Sequence, residues 1–177
     1  MKGHYFDIET YSKGEKPDPI EDKIITIQFI QIDLETGKPT GKLQILKEYE
    51  QSEEEIVKFI HKWFFTRNPW NFIPIGFNLN FEWEFLAQKF KQYKICNIEL
   101  SDFYKFPQID LKSLAVIKNS SFIGAKLSSI SNKQDDGNVI KEYYEKQEFE
   151  KIEKYIYDET KSFIQLYKKV KKLTSYL

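Results

Sequence analysis

Near the start of the chain, HYFDIET sets Asp7 and Glu9 on either side of a single isoleucine. If this run is a strand, residues two apart point to the same face and the two carboxylates stand side by side. Like charges so placed repel unless solvent or a bound cation lies between them. The remaining composition narrows the cation. Cys96 is the only cysteine, and the two histidines, His4 and His61, lie far apart, so no thiolate or imidazole set for zinc is at hand. Oxygen ligands remain, and these suit magnesium, manganese or calcium. Two further stretches carry an acid in a defined setting. IPIGFNLNFEWEFL runs from an apolar segment through Gly76 and Asn78 to Phe81 and Glu82, and EKIEKYIYDETKSFIQLY carries Asp158.

The elements that must position these acids follow from periodicity and breakers. GHYFDI (3–8) reads as a buried strand and KIITIQFIQID (23–33) as a second, rich in β-branched residues. The intervening SKGEKPDPIEDK, with a glycine and two prolines, forms a loop. ETGKPTG (35–41) is a turn, which makes KLQILKEY (42–49) a third strand, antiparallel to the second. Ser52 and the acids Glu53, Glu54 and Glu55 open a helix that runs to Phe65. Its apolar positions, Ile56, Phe59, Ile60, Trp63 and Phe64, recur at helical spacing. A short strand within 68–78 ends at Gly76, and Asn80 caps a helix over 81–93. Residues 108–117 pass from strand to helix, 125–131 form a short helix and 133–138 a turn. A long helix covers about 147–172, with an apolar stripe of Phe149, Ile152, Ile156, Phe163 and Tyr167. Asp158 lies about 200° around it from Ile156 and faces a cleft or water. The order β-β-β-α-β-α-β-α implies an α/β fold, a mixed sheet flanked by helices with the long helix last.

One domain over 1–177 accommodates this order. A chain that is 41% hydrophobic and 16% aromatic suits a folded globule rather than a disordered segment. Lysine plus arginine equals aspartate plus glutamate at 27 each, so net charge selects no partner, although an acidic pocket beside a basic rim stays compatible. Arg67 is the only arginine, so phosphate would meet lysine, by diffuse attraction rather than bidentate recognition. Charges at Lys2, Asp7 and Glu9 interrupt any signal-peptide pattern, and no apolar run matches a membrane span. The expected setting is cytoplasmic.

Together the three acidic stretches resemble the motifs of DEDD-type 3′–5′ exonucleases of the ribonuclease H-like fold, the class that includes proofreading domains. Asp7, Glu9 and Thr10 match D-x-E-T at the end of the first strand. Asn78, Phe81 and Glu82 match an asparagine followed by phenylalanine and an acid at a helix start, and Asp158 matches the aspartate of the final helix. IDLKSL and KLSSI resemble the link between the second and third motifs, so the likeness spans almost the whole chain. The resemblance implies a sheet of about five strands and four catalytic metal ligands, Asp7, Glu9, Glu82 and Asp158, around two Mg2+ or Mn2+ ions. Two departures stand out. Glu82 replaces an aspartate, which shifts the carboxylate by about 1.5 Å where magnesium demands near-octahedral oxygens. The family also orients the attacking water with a tyrosine four residues, or a histidine five, before the third-motif aspartate. Those positions are Lys154 and Glu153 here. Tyr155, three before Asp158 and on the same helix face, takes that catalytic role or is a packing tyrosine.

The implied activity is metal-dependent hydrolysis of phosphodiester bonds at the 3′ end of single-stranded nucleic acid, with DNA favoured over RNA. By the same resemblance Thr10 and Tyr11 lie beside the terminal nucleotide, and Asn78 contacts substrate near the metals. Phe81, like Phe77, either stacks on a splayed base or packs in the core. The lysines of AKLSSISNK and YKKVKK are a phosphate track or solvated helix faces. A polymerase or a repair or processing complex is the partner expected beyond the nucleic acid. The competing reading is a catalytically degenerate module of the same fold that binds nucleic acid or protein.

Overall fold

The computed structural model describes residues 1–174 except 15, 65–67 and 132–137. The sheet is built around β1 (Gly3–Tyr11). On one side β2 (Lys23–Ile32) pairs antiparallel to β1, and β3 (Gln44–Lys47) pairs antiparallel to β2. On the other side β4 (Ile73–Gly76) runs parallel to β1, and β5 (Ile109–Asp110) parallel to β4. The order β3-β2-β1-β4-β5 is therefore mixed. Parallel neighbours need crossovers, which α1 (Glu53–Phe64) and α2 (Leu79–Gln92) provide. Phe6 and Ile8 point to the face covered by α1 and α2, where they join Ile56, Ile60, Trp83 and Leu86. Tyr5 points the other way, onto Phe163 and Tyr167 of α6 (Phe149–Thr174). The carboxyl ends of β1, β4 and β5 share one edge, the place where open α/β sheets form ligand clefts.

The mixed five-stranded sheet and the long last helix match the sequence reading, with local differences. Asn80 lies inside α2 rather than capping it, because the helix already begins at Leu79. The stretch 125–131 holds only a 3-10 turn, Leu127–Ser129. Two helices were not foreseen, α3 (Leu100–Phe103) and α5 (Asn138–Glu145); between them α4 (Lys112–Asn119) follows β5 as expected. The long helix starts at Phe149 and not at Gln147, which has φ 57. That left-handed residue lets the Gln147 and Glu148 amides donate back to Tyr144 and Tyr143 carbonyls, closing α5 before α6 begins. The expected turn at 133–138 lies outside the described residues up to Asn138, as do Phe65 and Arg67. No described helix is long and apolar enough to cross a membrane.

The loop that follows β1 is fixed at its far end by buried charge. Lys89 of α2, 2% exposed, donates to the Asp22 carbonyl at 2.5 Å and lies 3.6 Å from Glu53. Glu53 in turn accepts from the Ile24 amide at 2.7 Å and from the Tyr93 hydroxyl at 2.6 Å. A buried ammonium with these partners is satisfied, and it ties α1, α2 and the entry to β2 together.

Candidate active site

Strand alternation sets Tyr5, Asp7 and Glu9 on the α6 face of the sheet. Opposite Glu9 the ladder slips. Glu9 pairs with Thr26 but Thr10 with Ile24, leaving Ile25 as an extra residue. This bulge turns Ile25 into the cluster of Ile140, Ile152, Tyr155 and Ile156, whereas Ile24 and Ile27 lie in the opposite cluster. Asp7 is gripped from the sheet itself. Its Oδ2 accepts from the Tyr5 hydroxyl at 2.9 Å and from Gln28 Nε2 at 3.1 Å. Gln28 Oε1 accepts from the Thr26 hydroxyl at 3.0 Å. Sequence reading missed Tyr5, Gln28 and Thr26. The signal available was two polar residues, two apart, in a run from Ile24 to Ile30 otherwise made of isoleucine and phenylalanine.

Glu82 reaches the same edge from α2, whose start is fixed by close packing and a borrowed cap. A Cβ on Gly76 would meet Leu79 Cδ2 at 2.4 Å and the Phe6 carbonyl oxygen at 2.9 Å, so only glycine allows the chain to turn this near β1. Asn78 then adopts φ 72. The left-handed residue points two successive amides, of Asn78 and Leu79, at the Asp110 carboxylate, with distances of 2.8 and 2.9 Å. The Asn78 side chain is occupied otherwise, accepting from Lys112 Nζ at 2.6 Å. One turn into the helix, Glu82 is 3% exposed and its Oε2 has no hydrogen-bond partner. Burial above all, then the charge of Asp7 and a hydrogen bond with it, holds the Glu82 carboxyl well above the usual carboxylate range. Two carboxylates in contact cannot both be ionised unless a cation joins them.

Asp158, the acid expected here, is exposed on the outer side of α6, and the acid of α6 that lies beside Asp7 and Glu9 is its neighbour Glu159. The helix buries Ile152, Tyr155, Ile156, Phe163 and Tyr167. Glu159, three residues on from Ile156, falls about 60° from it on that side, and Asp158 about 200° away. One carboxylate oxygen from each of Asp7, Glu9 and Glu159 lies within 4.8 Å of the other two. Tyr155 is buried beside them and its hydroxyl donates to Glu159. Burial, and then the charges of Glu9, Glu159 and Asp7, raise the Tyr155 hydroxyl far above its ordinary range, so it stays protonated. The tyrosine thus sits four residues before the acid it serves, not three.

The residues expected beside a substrate are less uniform. Thr10 is half-buried just past the bulge. The Tyr11 ring lies 4.9 Å from that of Tyr144, and its hydroxyl donates to Glu145 at 3.1 Å, so it is tied to α5. Phe81 is half-buried, its ring 4.9 Å from Phe85.

The donor set suits a hard divalent cation. All the converging groups are carboxylates, and opposite ligands of an octahedral magnesium stand about 4.2 Å apart, within the spread of the Asp7, Glu9 and Glu159 oxygens. Glu82, in contact with Asp7 and with one oxygen lacking a partner, offers a further ligand atom.

Comparison with known proteins places the fold. The family model described as RNase_H superfamily matches residues 4–135, which include Asp7, Glu9 and Glu82 and end before α6. Apo exonuclease I shares the fold with a TM-score of 0.51 at 14% identity, over 66% of this chain and 30% of that one. E. coli exonuclease I in complex with a dT13 oligonucleotide gives 0.51 at 15% identity, over 66% and 29%. The zinc-ion-bound form of the E. coli ExoI–ssDNA complex gives 0.50 at 14% identity, over 66% and 29%. The chain therefore spans about 30% of the length of these structures, and the likeness is one of fold. No curated protein matches it.

Proposed function

The chain belongs to the RNase H superfamily, and on that footing we propose that it is a metal-dependent 3′–5′ exonuclease acting on single-stranded nucleic acid, DNA in preference to RNA. The observation that carries the reading is the meeting of Asp7, Glu9 and Glu159 within 4.8 Å, with Glu82 pressed against Asp7 and Tyr155 against Glu159. Asp7, Glu9 and Glu159 would hold one Mg2+ or Mn2+ ion, and Asp7 with Glu82 a second. Held there, the ions would supply an activated water and stabilisation of the charge on the departing 3′ oxygen. Tyr155 has a different task. A hydroxyl held so firmly protonated is no general base; with its proton given to Glu159, its lone pairs are left to accept from the attacking water and fix its direction. Thr10 and Asn78 are the polar contacts, and Tyr11 and Phe81 the aromatic ones, proposed for the terminal nucleotide. DNA enters this reading by analogy with the dT13 complex of E. coli exonuclease I, and a polymerase or processing complex is the partner proposed to deliver it.

The test uses 3′-labelled single-stranded DNA and RNA with Mg2+ or Mn2+. The parent should release single labelled nucleotides, faster from DNA, and Asp7→Asn should release none. Tyr155→Phe should slow release at least tenfold, whereas Lys154→Ala, exposed on the outer helix face, should not. Binding of the oligonucleotide without release under either metal would identify a degenerate binding module instead.

A further inference from the structure

We propose that Tyr5 and Gln28 form an uncharged clamp on Asp7, positioning its carboxylate for a divalent cation without cancelling its charge. The proposal rests on the metal-site reading above and names residues outside any motif. Both donors converge on the same oxygen, Oδ2, at 2.9 and 3.1 Å, one from β1 itself and one from its neighbour β2. All the clamp residues are deeply buried: Tyr5 is 2% exposed, and Gln28 and Thr26 are 0% exposed. A buried amide and hydroxyl on a strand of isoleucines cost stability unless paired, and here the pairing is spent on the acid. The Asp7 carboxylate, which can only accept, makes the amide directional by taking Nε2, and the Thr26 hydroxyl donates to the Oε1 left over.

The chemistry of the donors matters as much as their position. A lysine at 28 would hold the carboxylate equally well, but its charge would offset the attraction the site needs for a cation. Amide and phenol fix direction and leave the negative charge in place. Tyr5 also links two ligand-bearing elements. Its ring lies 4.7 Å from that of Phe163, one helical turn beyond Glu159, so the residue that holds Asp7 also sets α6 against β1.

Mn2+ binding to the full chain, measured by calorimetry or by loss of the free-ion EPR signal, tests this without recourse to activity. Tyr5→Phe and Gln28→Met should each weaken Mn2+ about 10–100-fold, the usual effect of removing a partner of a metal ligand. Thr26→Val should weaken it less, and Gln28→Lys more than Gln28→Met. Tyr5→Phe keeps its ring against Phe163 and loses one oxygen, so it reports on the clamp even if the Gln28 variants fail to fold. Affinities of Tyr5→Phe and Gln28→Met within twofold of the parent would overturn the clamp. If Gln28→Lys binds no worse than Gln28→Met, the charge argument is wrong. If Asp7→Asn binds Mn2+ as well as the parent does, the metal-site reading fails, and the clamp with it.

Discussion

Asp158 and Glu159 are adjacent, both acidic, and separated by 100° of helix. That angle alone decides which one meets Asp7 and Glu9. Glu159 stands with Tyr155 and Phe163 at the i−4 and i+4 positions of one face, so its place could have been read from the apolar stripe had acids been admitted to it. With Glu159 proposed as the third ligand, Tyr155 lies four residues before it, the spacing of the resembled family, and both helix-borne acids, Glu82 and Glu159, are the longer type. The consequence is a sharp contrast between neighbours. Glu159→Gln should lower single-nucleotide release at least 100-fold, while Asp158→Asn stays within twofold of the parent. The opposite pattern would return the third ligand to position 158.

Short elements carry much of the positioning. β5 is two residues long, yet its Asp110 accepts from the Asn78, Leu79 and Lys112 amides and so anchors the start of both α2 and α4. Aspartate in this role satisfies helix-terminal donors that would otherwise be orphaned. Asp110→Ala should cost about 1–2 kcal/mol in urea unfolding, and it should slow catalysis as well, because Glu82 stands one turn from the freed amides. Asp110→Asn, which keeps an acceptor, should lose less of both. Unchanged unfolding midpoints in Asp110→Ala would mean that the helix start is held by packing alone. Nothing local announces the cap on α2: its donors lie more than thirty residues from Asp110 in sequence. The break at Gln147 was equally hidden, since a glutamine in left-handed conformation has no compositional signature, unlike a glycine.

At the scale of the whole molecule, the two faces of β1 have different acid responses. On the face away from the acids, His4 is 3% exposed, stacked 4.3 Å from Phe72, with a buried Nδ1 that has no partner. Burial pulls it from 6.5 down to about 4. The unfolded chain therefore binds a proton between those values that the folded one refuses. The resulting stability is complete above pH 6.5 and is lost as pH falls toward 4, by about 3 kcal/mol. His4→Phe should keep the stacking and lack this loss, so its advantage over the parent in urea unfolding should grow between pH 7 and pH 4. Parallel stability curves would show that His4 does not titrate across unfolding. By itself the sequence determined the five strands and the principal helices between them, the placing of Asp7 and Glu9 on one face of the first strand and that of Glu82 in the first turn of a helix, because periodicity, breakers and residue type are local properties. Tertiary structure decided what holds Asp7 and what caps α2. Those depend on partners brought together only when the sheet closes, and no spacing along the chain encodes them.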